Sequence, residues 1–130
     1  MKLFKGQIEW KKGYELVVFT DSFSVYDENG YETYFEDSNG DWVKIEYDER
    51  GNETYYENSN GFWCKSEYDE RGNEVYYEDS YGNWRKSEYD ECGNIVYYED
   101  SYGEGIDNRK KTVTLELTEE QIKQVREMLK

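Results

Sequence analysis

The chain has 130 residues with no histidine and no proline, and 31 acidic against 16 basic side chains give it a net charge of −15. Without histidine, with neither cysteine near a base in sequence, and with no Gly-rich loop ending in Lys-Ser or Lys-Thr, the usual catalytic and phosphate-binding groups are missing, so neither an enzyme nor a cofactor is expected. So negative a field excludes direct binding to nucleic acid or to an acidic membrane and steers basic partners inward.

By size the chain reads as one domain. Aromatics at 18% and turn residues in register argue against disorder despite the charge. Residues 1–25 read as an N-terminal cap and a degenerate half-repeat. Ile8 and Trp10 precede Lys11-Lys12-Gly13, and Glu15-Leu16-Val17-Val18-Phe19 follows, which predicts two short strands about a glycine turn. Residues 20–25 stand where a strand belongs but lack the Trp and Lys of the later copies.

Residues 26–103 write one 21-residue phrase almost four times. Tyr26-Asp27-Glu28-Asn29-Gly30 returns as Tyr47-Asp48-Glu49-Arg50-Gly51, Tyr68-Asp69-Glu70-Arg71-Gly72 and Tyr89-Asp90-Glu91-Cys92-Gly93. Between these lies a second phrase, Thr33-Tyr34-Phe35-Glu36-Asp37-Ser38-Asn39-Gly40-Asp41-Trp42, repeated from Thr54 to Trp63 and from Val75 to Trp84. A fixed period of this length marks a repeat architecture in which each unit buries its faces against its neighbours. Each repeat predicts two strands: Asn60-Gly61 suggests a tight hairpin with both residues at positive φ, and Asp69-Glu70-Arg71-Gly72-Asn73 suggests a type I turn closed by glycine. Alternation puts Trp63, Lys65 and Glu67 on one face with Trp42, Lys44, Glu46 and Trp84, Lys86, Glu88, so that Trp should stack near Trp and Lys near Glu. Twenty of the 24 aromatics fall in residues 20–103, which suits a thin exposed sheet.

Residues 104–130 read as a C-terminal cap. Gly105 stands where Trp is due, Val113, Leu115 and Leu117 alternate as a last strand, and a helix follows, with Thr118 and Gln121 as a capping box and Ile122, Val125, Met128 and Leu129 as its apolar stripe. Strand and helix together are expected to hide a sheet edge. Neither an apolar run of spanning length nor a signal-peptide core is present, which predicts a soluble, cytoplasmic protein. Cys64 and Cys92 lie at different phases of the repeat, so two free thiols are expected.

Residues 20–103 hold 23 acidic against 6 basic residues, a net of −17. One rim of the predicted sheet gathers Asp27-Glu28, Asp48-Glu49, Asp69-Glu70 and Asp90-Glu91; the other gathers Glu36-Asp37, Glu57, Glu78-Asp79 and Glu99-Asp100. Two strands per repeat advance each line by about 9–10 Å, and a strand's length sets the lines about 20 Å apart, near the width of a nucleic-acid duplex. Asp37, Asn39 and Asp41 alternate as in a calcium loop, but their copies Asn58, Asn60 and Phe62 do not, and turn chemistry accounts for them without a metal.

The Tyr-Asp-x-x-Gly-Asn motif with its following Tyr-Tyr-Glu-Asp/Asn-Ser resembles the tyrosine-aspartate (YD/RHS-like) repeats of large secreted bacterial toxins, and more closely the short regular tracts in small phage and prophage proteins. The resemblance covers residues 26–103 and implies the strand-turn-strand unit at Tyr47, Asp48, Gly51 and their copies. By analogy in character alone, a small acidic chain of this kind is similar to anti-CRISPR and anti-restriction inhibitors. The expected fold is mainly β, an antiparallel repeat meander, open or coiling toward a solenoid, with an N-terminal hairpin cap and a C-terminal strand plus α-helix. The expected function is non-catalytic inhibition, the acidic rims mimicking nucleic acid in the basic channel of a host defence protein. The alternative is a protein interaction or assembly module that binds a partner, or a second copy of itself, through an aromatic face of Trp42, Trp63, Trp84, Tyr55 and Tyr76.

Overall fold

Every turn of the repeats is built on one device, seen here in a computed structural model that describes residue 6, residues 10–109 and residues 116–129. At Asp48 the backbone N–H donates to the Asn52 carbonyl (2.9 Å), the carbonyl accepts from Gly51 N–H (3.1 Å), and Oδ1 accepts from the N–H groups of Arg50 and Asn52 (2.9 Å each). Asp27, Asp69 and Asp90 do the same. The turns containing Ser-Asn-Gly were expected to be of a second, two-residue kind. They are not: Asp37, Asn58, Asp79 and Asp100 head the same five-residue turn with the same side-chain bonds. An Asp or Asn side chain aimed at two successive amides fixes the turn, and the fourth residue must then enter the left-handed region, where φ is 84–87° from Gly30 to Gly103.

These turns join β1 (Glu15–Val18), β2 (Ser22–Tyr26), β3 (Glu32–Asp37), β4 (Trp42–Tyr47), β5 (Glu53–Asn58), β6 (Trp63–Tyr68), β7 (Glu74–Asp79), β8 (Trp84–Tyr89), β9 (Ile95–Asp100) and β10 (Gly105–Asp107). The described strands form a single open sheet, antiparallel throughout and in chain order. An odd period of 21 would turn alternate repeats over, because side chains alternate with period two. A one-residue slip in pairing beside the turns at Tyr26, Tyr47, Tyr68 and Tyr89, absent from the other turns, restores the phase. Trp42, Trp63 and Trp84 consequently share a face.

On that face Tyr34, Tyr55 and Tyr76 stand opposite Lys44, Lys65 and Lys86, while Glu36, Glu57 and Glu78 stand opposite Trp42, Trp63 and Trp84. The expected stacking of Trp on Trp does not occur among the described residues. Identical side chains lie two strands apart, about 9–10 Å, and the Tyr and Glu of the intervening strand fill the gap. Lys65 and Lys86 instead lie over their own-strand indoles, with Nζ 5.3 and 5.4 Å from the ring centroids of Trp63 and Trp84.

The chain exposes 10231 Å², against roughly 7,300 Å² for a globular protein of its mass. Little is therefore buried. Among the described residues the buried apolar side chains are Phe23, Val25 and Tyr34, with Tyr14 and Trp42 packed against them. The N-terminal segment reaches this cluster at Gly6, whose N–H donates to Tyr34 Oη (3.0 Å) and on which an added Cβ would lie 2.8 Å from two carbons of the Trp42 ring. The covered surface is thus the Trp face, at its first repeat.

At the ends, Ile8 of the expected first strand lies outside the described residues, and Trp10 is exposed ahead of the turn at Lys12-Gly13. The repeat continues past Gly103, where the pattern was expected to break, because the intact turn from Asp100 folds Gly105–Asp107 back onto β9. Of the expected strand at Val113–Leu117, residues 113–115 lie outside the described residues and Leu117 has no regular structure. Helix α1 (Glu119–Met128) begins with the expected capping box of Thr118 and Gln121. Its apolar stripe is exposed, with Met128 and Leu129 both at 82%, and it packs on no described strand, so it does not hide the sheet edge.

Candidate functional site

The two rims differ in kind. Along the first, the aspartates are committed to structure, since each carboxylate of Asp27, Asp48, Asp69 and Asp90 accepts two backbone amides of its own turn. The amide donated by Asn52, Asn73 or Asn94 is the largest cause holding Asp48, Asp69 and Asp90 below the usual carboxylate range. The following residues, Glu28, Glu49, Glu70 and Glu91, are all exposed at the tips. Arg71 donates to the carbonyls of Asp90 and Glu91, which ties one tip to the next.

Along the second rim the carboxylates are not the open line the sequence suggests. Glu36 is 3% exposed and accepts from Tyr34 Oη at 2.7 Å. Asp37 serves its turn, Glu57 pairs with Lys44 at 3.7 Å, and Glu78 accepts from Tyr76 Oη at 3.3 Å. Asp79 is 7% exposed. Burial pushes its carboxyl up, but the Asn83 and Tyr81 amides, the Asn83 side chain and the Tyr77 hydroxyl offset this and hold it below the usual range. Asp100, equally buried, is held the same way by Tyr98, Glu104 and Tyr102. What this rim shows to solvent is partly aromatic: Tyr81 and Tyr102 are 77% and 79% exposed, and Phe62 lies 5.5 Å from the Tyr81 ring. None of the three was singled out from the sequence. Their signal was there, since Tyr81 and Tyr102 replace Asn39 and Asn60 at the same turn position.

The candidate aromatic residues Trp42, Trp63, Trp84, Tyr55 and Tyr76 are brought together on one face and are half-buried. Each Trp with its Lys, and the Tyr and Glu opposite, makes a square repeated along the sheet. In the first square, burial and the hydrogen bond to Glu36 drive the Tyr34 phenol well above its ordinary value. No group of three described acidic or cysteine side chains is placed to hold a metal ion, and Cys64 and Cys92 are free thiols.

No family model matches the chain, and no curated protein was found similar to it. Among solved structures, the Photorhabdus luminescens Tc holotoxin pore carrying TccC3-D651A is similar at a TM-score of 0.36 and 16% identity, over 62% of this chain and 5% of that one.

Proposed function

We propose that the chain is a non-catalytic binder that lays the glutamates of its first rim into a basic, nucleic-acid-binding channel of another protein, as an inhibitor of a host defence protein would. The observation that supports this is the row of Glu28, Glu49, Glu70 and Glu91: exposed, one per repeat at about 9–10 Å, on turns already rigidified by their aspartates. Carboxylates held in such a row form charge-assisted bonds with Lys and Arg that otherwise face phosphates, with no base readout required. The immobilised chain is offered a bacterial lysate, and what it captures is identified. Nucleic-acid-binding proteins that elute at moderate salt, are displaced by duplex RNA or DNA, and are lost when the four glutamates become glutamine are the expected result. Capture that survives high salt and the fourfold substitution would overturn this reading and favour an interaction module working through Tyr81, Tyr102 and the Trp face, the reading that their exposure supports.

A further inference from the structure

The first square of the Trp face already takes up main chain from outside the repeats, at Gly6. Gly6 lies against the Trp42 ring so closely that no side chain fits, its N–H donates to Tyr34 Oη, and Tyr34 Oη in turn donates to Glu36 Oε1 at 2.7 Å. In sequence this glycine is followed by Gln7 and preceded by Lys5. In the same repeat Lys44 is drawn across to Glu57.

The square recurs at Tyr55, Glu57, Trp63 and Lys65, and again at Tyr76, Glu78, Trp84 and Lys86. There Lys65 and Lys86 lie over the indoles and make no ion pair among the described residues, although Glu78 and Glu99 stand directly opposite them. Tyr76 Oη donates to Glu78 and has an acceptor lone pair to spare. Swinging each lysine onto its opposite glutamate, as Lys44 is drawn to Glu57, would uncover the indole beneath it.

We propose that the second and third squares form a binding groove for an extended peptide from a partner protein, one with glycine at the indole and lysine or arginine beside it. Glycine is selected by the closeness seen at Trp42 and the basic flank by the net −17 of residues 20–103. This surface is distinct from the glutamate row, so either proposal can fail without the other.

The probe is a tryptophan-free peptide of residues 1–9 of this chain, titrated into the full-length protein while the indole N–H signals of all four Trp are followed by NMR. Saturable shifts of Trp63 and Trp84 are expected at peptide concentrations up to about 1 mM. A peptide carrying Gly6→Ala should bind about tenfold more weakly, as overpacking against a fixed ring dictates. In the protein, Tyr76→Phe removes the receiving hydroxyl and leaves the fold intact, and should weaken the shift at Trp84 about fivefold. No shift at Trp63 or Trp84, shifts confined to Trp42 as the peptide exchanges with the resident segment, or equal binding of the alanine peptide would each overturn the proposal.

Discussion

Tyr34 and Tyr76 occupy the same place in the same phrase, yet Tyr34 is completely buried and Tyr76 is half-exposed. The difference owes nothing to the repeat, whose strands, turns and pairings are alike at both. It comes from the neighbours: Val25 and Phe23 flank Tyr34 on the adjoining strand where Tyr76 has Glu67 and Lys65, and Gly6 donates to the Tyr34 hydroxyl. A repeat of this kind specifies a ladder and leaves burial to whatever the rest of the chain contributes.

The largest effect expected from that contrast is Tyr34→Ala, which should cost about 3–5 kcal/mol in urea denaturation, whereas Tyr76→Ala should cost no more than about 1–2 kcal/mol. Equal losses would mean that the first repeat is not the core. Gly6→Ala comes next, at about 1–3 kcal/mol from the clash with Trp42, and the control Gly82→Ala, whose added Cβ meets nothing within 4 Å, should lose only the positive-φ penalty of about 1–2 kcal/mol. The two glycines thus separate steric from conformational cost. A turn contributes similarly wherever it sits, so Asp48→Ala and Asp69→Ala should each lower the urea midpoint, by less than Gly6→Ala, and differ little from each other. Smallest of all, glutamine at Glu28, Glu49, Glu70 and Glu91 should leave the melting midpoint nearly unchanged, within about 0.5 kcal/mol.

Extremes of pH sharpen the same comparison. Asp48, Asp69, Asp79, Asp90 and Asp100 titrate below their unfolded values, so their contribution is complete above about pH 4 and disappears as the pH falls through the lowered values. On the alkaline side, burial and the bond to Asp79 push Tyr77 up to about 12, and burial and Glu36 push Tyr34 further. The neutral phenols therefore stabilise the fold below about pH 10, and this is lost as the pH rises through the folded values. Following the melting midpoint from pH 8 to 12 should show a steeper fall in the parent than in Tyr34→Phe; identical slopes would show that burial over the first repeat is not what raises this phenol.

Much of the fold could be read from residues alone, because Asp-x-x-Gly turns and period-two alternation act locally. The kinship of the two turn types could not, since Ser-Asn-Gly advertises an Asn-Gly hairpin and conceals that Asp37 or Asn58, one residue further back, does the bonding. Ladder stacking of Trp was misjudged by overlooking the strand between copies. The charge on the second rim was legible as composition and misleading as a surface: whether Glu36 or Asp79 faces water depends on Tyr34 and Tyr77 folding back onto them two residues away, which no spacing announces. The partner of Trp42 was invisible for another reason, as a single glycine near the start of the chain carries no pattern.

The one-residue slip beside Tyr47 and its copies makes each 21-residue unit self-correcting, since a unit enters and leaves the ladder with its Trp on the same side. Copy number is therefore a free variable. Adding or removing whole units lengthens or shortens the sheet without inverting a face, and each gain or loss moves one tip glutamate and one indole square together. The reach of the chain along a partner could then be tuned in steps of about 9–10 Å without any new residue being invented.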